Sequence, residues 1–85
     1  MPEEKLIGKV THFYGKINVG IILLSEELNK GERIHFVGPT TDFEQEVESM
    51  QVDHSEVEEA QTGREIGMKV IRKVKENDEV YKVNE

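Results

Sequence analysis

Cysteine is absent from the 85 residues, so neither a disulfide nor a thiolate metal ligand is available. Long apolar runs are missing too. The longest near-apolar stretch, Val19 to Leu24, falls far short of the roughly 20 residues that a membrane-spanning helix needs. Met1-Pro2-Glu3-Glu4-Lys5 lacks the basic start and apolar run of a secretory leader. These absences make a cytoplasmic protein without a membrane partner the expectation. Aromatic residues are scarce, and of Phe13, Tyr14, Phe36, Phe43 and Tyr81 the core is expected to take Phe36 and one of Phe13 or Phe43. Residues 42 to 60 hold eight acids and no Lys or Arg, and the formal net charge is −7. An acidic body repels DNA and other polyphosphates unless a local basic patch overrides it.

What is present is a small domain of alternating strands. Hydrophobic residues make up 35% and charged residues 34%, which suits one domain with a small core spanning about residues 6 to 83. Leu6 to Phe13 is rich in β-branched and aromatic residues and reads as a strand. Gly15 is the expected positive-φ residue of the turn that follows. Ile17 to Leu24 is the second strand, with Val19, Ile21 and Leu23 expected inward and apolar surface left on its other face. Ser25 to Glu32 is a connection in which Leu28 plugs one end. Arg33 to Val37 is short, with Ile34 and Phe36 on one face. A long strand from Thr40 to Val52 follows. Its apolar residues Val47 and Val52 differ in parity, which predicts a β-bulge near Glu48-Ser49. His54 to Ala60 reads as an extended loop with Val57 and Ala60 tucked in. Ile66, Met68 and Val70 alternate inward, Gly67 sits opposite them, and Glu79 to Val83 is the last strand. About six antiparallel strands with regular turns predict an all-β fold, a small closed barrel.

Few residues suggest chemistry. Gly15-Lys16-Ile17-Asn18-Val19-Gly20 has the glycine spacing of a phosphate loop. Ile21-Ile22 stand where that loop needs Lys and then Ser or Thr, so no nucleotide is expected. His12, His35 and His54 are not spaced as metal pairs, and Asp42 and Asp53 add only oxygen donors, so no metal or cofactor is expected. Ser25, Ser49 and Ser55 lack the context of an activated nucleophile. One charge segregation stands out: Lys69, Arg72, Lys73 and Lys75 occur with no intervening acid. These cations, with Phe13-Tyr14 as a stacking pair, are the candidate binding residues for RNA.

Two segments carry a resemblance. Gly31-Glu32-Arg33-Ile34-His35-Phe36-Val37-Gly38 and Val57 to Gly67 resemble segments of the second domain of translational GTPases, the elongation factor Tu domain 2 type. Thr40-Thr41-Asp42-Phe43-Glu44-Gln45, Val47 to Gln51 and Val80-Tyr81-Lys82-Val83 are still more similar to the barrel at the C-terminus of family U32 peptidases, and to small stand-alone translation-factor-like proteins. The resemblance runs from about residue 7 to 83 and implies a closed barrel of that type. Within it Gly31, Gly38, Gly63, Gly67 and Met50 are implied to be structural positions. In translation factors this barrel packs on the GTPase domain and helps to hold the aminoacyl end of tRNA. This chain carries Arg64-Glu65 where those barrels often have Asp-Asn. Neither the GTPase domain nor the U32 catalytic domain falls within the resemblance, so the chain is expected not to be an enzyme. The expected function is a non-catalytic binding module that docks on a protein or ribonucleoprotein partner. Direct RNA or tRNA binding is the alternative, and a metal-dependent enzyme built on a cross-strand His/Asp site a remote one.

Overall fold

Ten β-strands and no helix make up the described part of the chain, residues 3–53 and 55–84 of a computed structural model. His54, one of the three candidate histidines, lies outside the described residues. The strands are β1 (Glu3–Tyr14), β2 (Val19–Leu24), β3 (Leu28–Asn29), β4 (Arg33–Gly38), β5 (Thr41–Glu46), β6 (Met50–Val52), β7 (Ser55–Val57), β8 (Glu59–Ala60), β9 (Glu65–Lys69) and β10 (Glu79–Asn84). All pairings are antiparallel. Eight strands form one sheet in the order β5-β4-β10-β1-β2-β9-β6-β7, and β3 pairs with β8 separately.

This arrangement corrects the expected closed barrel of about six strands. The sheet is open, with β5 and β7 at its edges. The extra strands come from segments read as loops. Ser25 to Glu32 contains β3, and His54 to Ala60 contains β7 and β8. The expected long strand is also two. β5 ends at Glu46, the chain leaves regular structure for Val47 to Ser49, and β6 starts at Met50. Thr41, Phe43, Gln45 and Val47 are buried on one parity and Met50 on the other. The phase change read from the sequence is real, but a change of partner produces it. β5 pairs with β4, whereas β6 pairs with β7 and meets β9 at Gln51 opposite Gly67.

Bulges occur instead in β1, whose register shifts between Leu6 and Gly8 against β10 and between Val10 and His12 against β2. The extra residues are Ile7 and Thr11. They bend the 12-residue strand so that it serves both neighbours. The inward phase of β2 is the reverse of the one expected. Gly20, Ile22 and Leu24 are buried, while Val19 and Ile21 are half-buried and Leu23 is exposed. The reason lies across the ladder. Ile22 is opposite Ile66 and Gly20 opposite Met68, and directly paired residues share a face, so the inward β9 residues select the even-numbered set. Gly31 and Gly63 do take positive φ, at 94° and 87°. In the β1–β2 turn that role falls to Asn18 at 55°, not to Gly15.

Aliphatic side chains from both halves of the sheet fill the core, with Phe36 stacked on Phe43 at 4.9 Å between ring centroids. Leu28 is fully buried on β3 opposite Ala60, with no barrel end for it to plug. Asp78 is a buried carboxylate that accepts hydrogen bonds from the Thr41 hydroxyl and the Lys75 backbone N–H. Gly38 lies directly over it, and a Cβ there would overlap the carboxylate. At Gly8 a Cβ would come within 2.9 Å of the Leu23 carbonyl oxygen, whereas at Gly67 it would meet Ile21 and Val19 at ordinary distances of 3.5 and 3.6 Å. Gly38→Ala and Gly8→Ala are therefore expected to destabilise by about 1–3 kcal/mol through overpacking. Gly67→Ala is expected to stay within about 0.5 kcal/mol of the parent. Urea titrations of the three variants check this ranking, and equal losses at all three would contradict it.

Glu32, in the turn between β3 and β4, ties that turn to β10. Its carboxylate accepts from the Asn29 backbone N–H at 2.8 Å, from Asn29 Nδ2 at 2.9 Å and from Lys82 Nζ at 3.0 Å. Burial alone would raise its pKa, but the Lys82 and Asn29 bonds outweigh burial and hold it below the usual carboxylate value. A carboxylate lowered on folding contributes stability above its unfolded pKa, and that stability is lost as pH falls through the folded value. Glu32→Gln is thus expected to cost about 1 kcal/mol at neutral pH, roughly 4–8 °C in Tm. The gap between the two proteins should narrow as the pH falls below the ordinary carboxylate range, through the lowered value at which the folded parent's carboxyl protonates. A pH series of melting curves for both proteins measures it.

Candidate binding surface

The candidate cations are all exposed, and none forms an ion pair among the described residues. Lys69 ends β9, and Arg72, Lys73 and Lys75 lie in the irregular connection to β10. That connection is pinned from inside. The Gln45 side chain accepts from Ile71 N–H and donates to the Lys69 carbonyl, both at 3.0 Å, Val74 is buried, and Asp78 holds Lys75 N–H. The basic side chains are what this anchored segment leaves outside. They do not line one recess. Arg72 and Lys73 border a hollow of about 400 Å³ with Thr40 to Phe43, in which Asp42 adds an opposing charge. Lys69 borders another of about 240 Å³ beside Ile17 and Gly67.

Phe13 and Tyr14 part company. Phe13 is half-buried against the core, while Tyr14 is 49% exposed with its ring edge-on to His12 at 4.3 Å. Consecutive strand residues point to opposite faces, so the two rings cannot form one stacking platform. Tyr14 instead belongs to a groove of about 580 Å³ on the outer face of β1, β2, β9 and β6. Its floor is Val19, Ile21 and Gly67, and the missing side chain at Gly67 makes the floor concave. Tyr14, His12 and the 61% exposed Ile17 stand along one side. Glu65 and Asp53 supply the charge, with Thr11 Oγ1 donating to Glu65 at 3.0 Å, and no Lys or Arg lines the groove. The sequence signalled an apolar outer face on β2. It is made by Val19, Ile21 and Leu23, because the phase of the strand is reversed.

A second outer-face cluster could not be read from residue spacing. His35 on β4 is bonded on both ring nitrogens, Nδ1 to the two Glu4 oxygens at 2.9 and 3.0 Å and Nε2 to Asp42. Partial burial lowers the pKa of His35, but the bonds to Asp42 and Glu4 outweigh it and raise the value overall. Burial and the Glu79 carboxylate raise that of Tyr81, which lies opposite His35 on β10. Glu4, His35 and Glu44 each offer one donor atom, and these atoms lie within 4.8 Å of one another. Only strand pairing brings residues this far apart in the chain together. No helix among the described residues is long and apolar enough to cross a membrane.

No protein-family model matches the chain. Along 80 residues, 93% of its length, it is 41% identical to an uncharacterized protease of Methanocaldococcus jannaschii, and the match spans 20% of that protein. In fold it is similar to the C-terminal domain of a putative U32 peptidase of Geobacillus thermoleovorans. One crystal structure of that domain superposes with a TM-score of 0.86 over 92% of this chain and 91% of the domain. Its selenomethionine variant does so with 0.85 over 89% and 96%, and both are 18% identical in sequence. The chain thus has the fold of a peptidase's C-terminal domain and spans about a fifth of the curated relative it matches.

Proposed function

We propose that the protein is a non-catalytic accessory module of the U32 C-terminal type, which docks on a protein partner through the groove floored by Val19, Ile21 and Gly67. The observation that carries this reading is the groove itself. It is a concave surface with an aliphatic floor and a polar rim, on a sheet face whose other exposed positions are largely charged. The likeness to one fifth of a longer protease-named protein supports a module that works beside a larger body. Apolar contacts on the floor supply affinity, and Glu65 and Asp53 on the rim favour a partner segment that carries Lys or Arg. The finer reading, a role in translation like that of elongation factor Tu domain 2, rests on the Gly31–Gly38 and Val57–Gly67 segments. It places the same module on a ribonucleoprotein.

The test uses the Methanocaldococcus jannaschii relative with the segment that matches this chain removed. Titration of that body with the 85-residue protein is expected to give saturable binding. Ile17→Asp and Ile21→Asp together should weaken it at least tenfold, about 1.4 kcal/mol. No binding, or binding indifferent to both substitutions, would count against the groove.

The exposed cations support RNA as a second reading. With net charge −7 opposing it beyond roughly 8 Å at physiological salt, affinity is expected to be weak. If all of Lys69, Arg72, Lys73 and Lys75 met phosphates of a single strand, affinity would fall about 50-fold between 50 and 200 mM salt. Anisotropy with a labelled single-stranded RNA at those two salts, for the parent and for Lys73→Glu/Lys75→Glu, measures it. Tight, salt-resistant binding abolished by the double substitution would overturn the protein-docking reading.

A further inference from the structure

We propose that Glu4, His35 and Glu44 form a binding site for one divalent transition-metal ion on the outer face of β1, β4 and β5. His35 and Glu44 are direct register partners, so their side chains leave the sheet on the same side. Glu4 arrives from β1 across the intervening β10, whose Tyr81 lies opposite His35. All three donors sit on paired strands, so their spacing is set by backbone ladders and not by loops.

The distances suit an ion. His35 Nδ1 lies 2.9 and 3.0 Å from the Glu4 oxygens. Two ligands that each bind at about 2.0–2.1 Å stand about 2.8–3.0 Å apart across an octahedral angle and about 3.3–3.4 Å across a tetrahedral one. The third donor, a Glu44 oxygen, lies within the 4.8 Å span of the set. The far side of the ring has the partner that a metal-bound histidine needs. Nε2–H donates to the Asp42 carboxylate, which turns Nδ1 toward Glu4 and keeps a proton on Nε2 once Nδ1 takes the ion.

The donor set selects the class of ion. One imidazole nitrogen and two carboxylates suit zinc, nickel, cobalt or manganese better than calcium, which prefers oxygen alone. Water completes the coordination, since Glu4 and Glu44 are exposed. On binding, the ion takes the place of the Nδ1 proton. A metal–nitrogen bond forms, the N–H bond breaks, and one proton leaves to the buffer. Arg33 bonds Glu44 Oε1 at 2.8 Å, so the carboxylate binds the ion through its other oxygen or turns from the guanidinium.

Calorimetric titration of the metal-free 85-residue protein with zinc chloride at pH 7.5 tests the proposal. One zinc per chain is expected. His35→Gln and Glu44→Gln should each lower the affinity at least tenfold, and Asp42→Asn about 10- to 100-fold by loosening the ring. Glu48→Gln, an exposed acid away from the cluster, should bind as the parent does. The His35 ring ¹⁵N resonances of the parent should shift on zinc addition, which keeps the test decisive if His35→Gln unfolds. Absence of stoichiometric binding, zinc binding that survives both His35→Gln and Glu44→Gln, or unshifted ring resonances would overturn the site.

Discussion

The Gln45 side-chain amide joins two parts of the sheet that the hydrogen-bonded ladder leaves apart. β5 is an edge strand, and its free side would need a partner to close the sheet into a barrel. The C-terminal end of β9 approaches it without pairing, because Val47 to Ser49 break regular structure and the chain has already changed partners. Gln45 is 6% exposed and spans the gap, with its nitrogen on the Lys69 carbonyl and its oxygen on the Ile71 N–H. One residue thus gives a partner to two part-buried backbone groups. A Leu or Met there would fill the space and remove both bonds. The position of the connection to β10 follows from this bond, and so does the outward display of Arg72 and Lys73.

What was legible in the sequence was whatever alternation encodes. Ile34 and Phe36, and Ile66, Met68 and Val70, are apolar on one parity, and each set is buried. β2 shows the limit. Val19-Gly20-Ile21-Ile22-Leu23-Leu24 is apolar on both parities apart from Gly20, so the run itself does not say which face is inward. Its register with β9 decides, and register is a property of the pair. Closure was illegible for a similar reason. The parity switch after Val47 is visible as a pattern, but a bulge within one ladder and a move to a new ladder leave the same trace in sequence. Of the candidate site, the four cations are outside as their charge requires. The groove depended on the reversed phase of β2, and the His35 cluster depended on which strands are neighbours.

The two outer-face features occupy different parts of the sheet. The groove belongs to β1, β2, β9 and β6, and the His35 cluster to the opposite half, β1, β4 and β5. β1 alone serves both, with Thr11, His12 and Tyr14 bordering the groove and Glu4 reaching His35 at its other end. The bulges at Ile7 and Thr11 bend the strand between these ends.

The open sheet also explains the acidic run. Eight acids and no Lys or Arg lie between residues 42 and 60, the span that holds β6, β7, β8 and all of β5 but its first residue. Both sheet edges fall in that span. β5 alternates buried Thr41, Phe43 and Gln45 with exposed Asp42, Glu44 and Glu46, and β7 exposes Glu56 beside Ser55. An unpaired strand offers a row of free backbone groups to any other strand, and like charge on the edges discourages a second copy from pairing there. A barrel closed by backbone bonds would have no such edges to protect. The acids therefore follow from the same break at Val47 to Ser49 that opens the sheet. They also restrict who can bind along an edge, since a segment that adds to β5 or β7 must bring positive charge to offset the carboxylates it meets.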